Sequence, residues 1–236
     1  MDKLHFLDAV ETPWGEPVDL AWHEIAPLIL TSGAIIAGDP FDLLTNDQPA
    51  FAPQVAPGRY PVRLIVGYFP NPADTMTHAL VTDLRVTLAV LCLNTDEPVR
   101  WEKAAPASVN KLQEDEIWCY TTDSGCGAFL DAATLPMLQQ RYRQQSGFPD
   151  LLADILAAHS RPTYTWADIL LEATSCSNLT IFSAYGGNGE YGSYWGYDAK
   201  DQPVCLVTDF DVLDTEAWQK LAGQWPTLLA THAIEK

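Results

Sequence analysis

The amino-acid sequence predicts an α+β protein, a mostly antiparallel β-sheet with a few flanking helices. Three observations carry that expectation. In Val62-Arg-Leu-Ile-Val-Gly-Tyr-Phe69, residues 62, 64, 66 and 68 alternate onto one face. The run from His78 to Asn94 holds the β-branched Val81, Val86, Thr87 and Val90. Strand runs predominate, with helices inserted after the third strand group and at the end of the chain, an order that favours strands pairing with their neighbours.

Taken in order, the first fifty residues suggest a short helix around Asp19–Leu30 and a strand at Ala34–Ala37. Gly38-Asp39-Pro40 then breaks the chain, since the residue before proline avoids the helical region. Gly58 opens the strand that runs to Phe69, and the His78–Asn94 strand follows. Thr95-Asp-Glu-Pro98 is a turn, after which Val99-Arg-Trp-Glu102 resumes. Glu116–Thr122 reads as a strand entering an Asp123-Ser124-Gly125 turn. Asp131 is placed to cap a helix through Gln144, and a second helix spans Asp150–His159. Leu179–Ser183 and Pro203–Leu213 are strands, with the glycine-rich segment Ser183–Asp198 in hairpin turns between them. Asp214-Thr215 caps a last helix over 214–230 that sets Trp218, Leu221 and Trp225 near one face. The proline joints near 49–57, 70–72 and 106 are short and there is no internal repeat, so a single domain over 1–236 is expected.

Charge narrows the function classes. Thirteen Lys and Arg stand against 31 Asp and Glu, a net −18. The first fifty residues carry nine acidic side chains against Lys3 alone. Such a field repels nucleic acid, anionic lipid and phosphate-rich ligands, and attracts a basic protein. The five cysteines, 92, 119, 126, 176 and 205, form no CxxC pair or zinc knuckle, and their odd number suggests a reducing compartment. The N-terminus lacks a basic region followed by an apolar one, and the longest apolar stretch, Ile25–Gly38, is interrupted by Pro27, so a cytoplasmic protein with no membrane partner is expected.

Motifs with chemistry are sparse. The glycine-rich segment has neither P-loop nor dinucleotide-binding spacing, and Glu190 follows Gly187-Asn188-Gly189, where an anion disfavours a phosphate nest. It reads as a turn whose glycines take positive φ while Tyr191, Tyr194, Trp195 and Tyr197 pack on the sheet. Aromatics beside small residues also suit a protein interface. Asp209 and Asp211 share one face if their strand is regular, and with Asp123 and Asp131 they could bind a divalent cation or act as acid and base. Against that, Asp131 and Asp214 suit helix caps and Asp123 a turn. Cys126, in a flexible Asp-Ser-Gly-Cys-Gly turn, could be activated by His78, His159 or His232, though no G-x-S-x-G or H-E-x-x-H pattern supports it.

Four motif groups, in order, carry a resemblance. They are Gly38-Asp-Pro-Phe41; Pro57-Gly-Arg-Tyr-Pro-Val62; Val99-Arg-Trp-Glu102; and Thr122-Asp-Ser-Gly125 with Phe129-Leu-Asp131. They are followed by Gly186-Gly-Asn-Gly-Glu-Tyr191, Tyr194-Trp-Gly-Tyr-Asp198 and Thr208-Asp-Phe210. Together they resemble the bacterial domain of unknown function 4241 family over about 34–213. Tyr185, Asn188 and Gly192 stand where that family more often has Trp, Asp and Pro. The resemblance implies no catalytic residue and no cofactor, and associates the chain with immunity proteins that protect bacteria from secreted toxins.

Charge, missing catalytic motifs and resemblance lead to one expectation. The chain is an acidic immunity protein that neutralises a basic secreted toxin, a nuclease, by blocking its active site or nucleic-acid groove. The candidate contact residues are Glu190, Tyr191, Tyr194, Trp195, Asp198, Asp209 and Asp211. The alternative is a metal-dependent hydrolase using Asp123, Asp131, Asp209 and Asp211.

Overall fold

The computed structural model describes residues 5–71, 81–109, 112–113, 115–158, 164–184, 186–221 and 223–230. Along the chain come β1 (His5–Glu11), β2 (Pro17–Leu30), β3 (Ile35–Gly38), a 3-10 turn at Asp42–Leu44, β4 (Phe51–Ala52), β5 (Gly58–Asn71) and β6 (Val81–Cys92). Then follow β7 (Arg100–Lys103), β8 (Ala105–Pro106), β9 (Cys119–Thr122), β10 (Cys126–Asp131), α1 (Leu135–Gln144) and α2 (Phe148–Ala158). The chain continues with β11 (Trp166–Glu172), β12 (Ser177–Ser183), β13 (Gly189–Tyr197), β14 (Pro203–Asp209), α3 (Thr215–Gln219) and α4 (Trp225–Leu229). Every ladder is antiparallel, so the expected α+β class with a mostly antiparallel sheet is the class observed.

The large sheet runs β1-β2-β5-β6-β14-β13-β7, with β9 also paired to β13; the smaller runs β11-β12-β10-β3. The small sheet lies between two apolar layers because its strands alternate. Ala37, Phe129 and Phe182 turn toward the large sheet, while Ile36, Ala128, Leu130 and Ile181 turn toward Leu138 of α1 and Phe148 and Leu152 of α2. Seven strands laid flat would hold the edges roughly 29 Å apart. Yet adjacent residues reach both: Gln224 Oε1 accepts from the Asp8 N–H of β1 at 2.6 Å, and the Trp225 ring lies 5.0 Å from that of Trp101 on β7. The sheet therefore curls, with α3 and α4 in its concave side. Arg63, fully buried on β5, fastens that cap by donating to the carbonyls of Leu228 and Ala230 and to Glu24.

Several expectations need correction. The Asp19–Leu30 helix is instead the long strand β2, since β1 and β5 flank it and bury Val18, Leu20 and Trp22 at alternate positions. Pro27 is tolerated because it falls where the β2–β5 register shifts, and Asn178 replaces the lost ladder bonds, accepting from Ile29 N–H and donating to Pro27 O, each at 2.9 Å. Asp131 does not cap α1; it ends β10, and its carboxylate binds the backbone N–H groups of Ser32, Gly33 and Ala133. α1 begins after Thr134 with Pro136 in its first turn. Cys126 lies in strand β10 rather than in a flexible turn. The glycine-rich segment is mostly strand: between the end of β12 at Ser183 and the start of β13 at Gly189, the described residues outside strand are Ala184 and Gly186–Asn188. Gly192 and Gly196 serve close packing there, since a Cβ on Gly196 would lie 2.8 Å from Cys205 Sγ and 3.0 Å from Pro98 Cβ. The expected strand to Leu213 stops at Asp209, because Asp211 takes a left-handed φ of 54°. The terminal helix is two short ones, α3 ending at Gln219 and α4 starting at Trp225, with Gly223 between them at φ 67°, but Asp214 does cap α3 by accepting from Glu216 N–H and Ala217 N–H, and Trp218, Leu221 and Trp225 are all buried.

Candidate binding surface

Asp39 organises a concavity lined by three acidic side chains, its own with Asp42 and Asp123. Its backbone follows β3, and its side chain folds forward so that Oδ1 accepts from Phe41 N–H at 2.8 Å and Asp42 N–H at 3.4 Å. The Oδ2 atom accepts from Asp123 N–H at 2.9 Å and Ser124 N–H at 2.8 Å. One buried carboxylate thus joins two loops more than eighty residues apart. The glycine loop is tied to the same place. The Thr122 hydroxyl donates to Gly187 O at 2.9 Å, the Tyr191 hydroxyl donates to the same oxygen at 3.1 Å, and β9 pairs with the start of β13. The segments Gly38–Phe41, Thr122–Gly125 and Gly186–Tyr191 therefore form one structural unit.

Between the first two lies a cleft of about 320 Å³ lined by Asp39, Phe41, Asp42, Thr121, Asp123 and Ser124. A second hollow of about 200 Å³ shares Asp39, Asp42 and Thr121 and extends to Trp118 and Cys119. Neither has Lys or Arg in its lining. Asp42 and Asp123 are exposed, as is Glu190, which sits opposite Thr121 in the β9–β13 ladder and so on the same face. The Cys119 thiol is pushed up by burial and then by the charges of Asp211 and Glu190. Burial and the Asp39 charge push Cys126 up to about 11, the opposite of what an activated nucleophile needs. The three histidines considered as its partners, His78, His159 and His232, lie outside the described residues, as does Tyr185.

The residues expected at a contact surface divide into two groups. Glu190 and Asp211 are exposed, and Tyr194 is half-buried with its ring against Trp218. The other four are interior. Tyr191 packs edge-on against Phe210, and the Trp195 indole donates to Ala52 O at 2.8 Å. Asp198 closes the β13–β14 turn by accepting from Lys200 N–H and Gln202 N–H at 2.8 Å each. Asp209 accepts from the Trp218 indole N–H at 2.9 Å, from the Thr215 hydroxyl at 3.2 Å and from Asp211 N–H at 3.0 Å. Burial, opposed by the Trp218 hydrogen bond, pushes its carboxyl up to about 6.

Asp123, Asp131, Asp209 and Asp211 are not gathered. Asp123 precedes β10 and Asp131 ends it, roughly 20 Å apart at strand spacing, and Asp209 belongs to the other sheet. Among the described residues, no group of three or more His, Cys, Asp or Glu side chains is placed to hold a metal ion. Sequence reading gave Asp39, Phe41, Asp42 and Thr121 no role in a site, reading Gly38-Asp39-Pro40 as a break and Gly38–Phe41 as a motif of the family resemblance; an acid just past a strand and ahead of proline was the available signal.

No described helix is long and apolar enough to cross a membrane. Comparison with curated proteins and with solved structures found no match. The sequence profile of a family described as a protein of unknown function, DUF4241, matches residues 28–208. That span holds β3, β9, β10 and β13 and the loops they fix, so the cleft is built from the family's own segments, and the chain belongs to the DUF4241 family.

Proposed function

We propose that this protein is an immunity protein that binds a basic secreted bacterial toxin, a nuclease, and covers its active site or nucleic-acid groove. The observation that carries the reading is electrostatic. A chain of net charge −18 exposes Asp42, Asp123 and Glu190 around hollows lined by no basic residue. A nuclease is basic where it meets phosphate, so a carboxylate surface competes for the same groups and accelerates encounter. A stoichiometric inhibitor needs no catalytic constellation. Five free cysteines suit a reducing cytoplasm, where a producing cell must guard itself.

The experiment is a binding measurement with the purified product of the adjacent gene, at low and moderate salt. Formation of a near-equimolar complex that also suppresses nuclease activity is the expected result. A folded protein that binds no basic partner at either salt concentration removes the reading.

A further inference from the structure

We infer that the β1–β2 hairpin is the anchoring element for the basic protein partner, with Phe6 and Trp14 as its apolar contacts; the inference rests on the inhibitor reading above. Phe6 is 74% exposed and Trp14 54% exposed, the two aromatics among the exposed large apolar side chains of the described residues. Aromatic anchors ringed by charge are what a protein contact uses.

The hairpin holds these rings ready. Its turn is closed at 12–16: Thr12 N–H donates to Glu16 O at 2.8 Å, Glu16 N–H donates to Thr12 Oγ1 at 3.0 Å, and Gly15 takes φ 83°. Trp14 is therefore presented by a fixed turn, which lowers the ordering cost of binding. Phe6 rests against Tyr68 at 5.9 Å and projects from a strand anchored through Leu20 and Trp22 of β2.

Charge selects the occupant. Between His5 and Leu30 there are five carboxylates and no Lys or Arg, and Glu24 alone of the five is paired, with Arg63. Asp8, Glu11, Glu16 and Asp19 form no ion pair among the described residues. A second copy docked here would set four carboxylates against four, a like-charge interface that costs affinity. A basic protein meets no such penalty. The acidic surface also continues from here toward the cleft, since α3, with exposed Asp214 and Glu216, packs on β1 and follows directly from Asp211.

The test compares wild type, the double variant Phe6→Ser/Trp14→Ser, the variant Glu11→Lys/Glu16→Lys and the control Leu170→Ser, which removes an exposed apolar side chain from the other sheet. Each is titrated against the purified, catalytically inert product of the adjacent gene. Thermal melts check folding and sedimentation gives oligomeric state. Both hairpin variants are expected to bind at least about tenfold more weakly with unchanged melting, and the control to bind as wild type. Equal binding by wild type and both hairpin variants overturns the hairpin assignment and leaves the inhibitor reading standing. Wild type that binds no basic product overturns both. Wild-type dimers dissolved by Phe6→Ser/Trp14→Ser overturn the assignment in favour of a second copy.

Discussion

The Trp218 indole N–H donates to Asp209 Oδ2 at 2.9 Å, and both side chains are almost wholly buried. This bond ties α3 to the end of β14. Burial raises the folded-state pKa of Asp209 to about 6, against roughly 3.9 in an unfolded chain. The folded protein therefore binds this proton more tightly. The contribution favours folding below about pH 4 and is lost as pH rises through about 6. Urea stability should fall over that window by on the order of 3 kcal/mol from this group. Asp209→Asn should flatten the pH dependence; an identical slope in both proteins would refute the assignment.

Asp39 accepts four backbone N–H groups from two loops. Asp39→Ala leaves those donors without their acceptor inside the protein, so a loss of about 3 kcal/mol or more is expected by chemical denaturation. Amide exchange at Asp123 and Ser124 should accelerate well beyond the change in global stability. Protection unchanged at both amides would show that the clamp does not hold the loop.

Gly196 has no room for a methyl group, being hemmed by Cys205, Pro98 and Trp101 at 2.8, 3.0 and 3.1 Å from an added Cβ. Gly196→Ala should cost about 1–3 kcal/mol through overpacking. Gly187→Ala meets no atom within 4 Å but carries a strained φ of 75°, so its cost should come from the backbone alone. Thermal denaturation of the two variants separates the two origins: pairing Gly196→Ala with Cys205→Ala should recover part of the loss, whereas Gly187→Ala should gain nothing from that second change.

Glu190→Lys and Asp211→Lys change exposed charges; Glu190→Lys should leave stability nearly unaltered, and Asp211→Lys should lose a little through the left-handed φ at that position. Their effect should be slower association with a basic partner and a weaker dependence on salt. Asp198→Lys should instead destabilise the fold, because its carboxylate is buried in the β13–β14 turn. Stopped-flow association at two salt concentrations reads the first effect; unaltered rates for both exposed variants would take this face out of the contact.

Cys176 is exposed, while Cys92 and Cys205 are buried opposite one another on β6 and β14, with burial pushing Cys92 up to about 12. An aromatic disulfide reagent should modify one thiol rapidly in the native protein, and Cys176→Ser should abolish that phase. Cys119, half-buried beside the charges of Asp211 and Glu190, should follow slowly. Rapid modification of Cys92 or Cys205 would contradict the packing of β6 on β14.

The sequence by itself determined the class of fold, the family and the sign of the surface. Alternation in Val62–Phe69 and β-branched residues in Val81–Val90 encode strands locally, and Asp214 encodes its cap in the residues that follow it. Net charge is additive and needs no structure. Tertiary structure decided what depends on neighbours distant in the chain. Asp19–Leu30 satisfies a helical pattern in isolation, and it becomes β2 because β1 and β5 flank it. The glycines of β13 read as turn formers, yet two of them make space for Ile117 and Cys205. Asp39 reads as a chain break, and only folding brings Asp123 and Ser124 within reach of its carboxylate. Likewise Asp209 and Asp211 are two residues apart but occupy different environments, one under Trp218 and one in solvent. Burial and long-range hydrogen bonding are properties of the packed chain, so that these separate motifs build one cleft became legible only once the strands were paired.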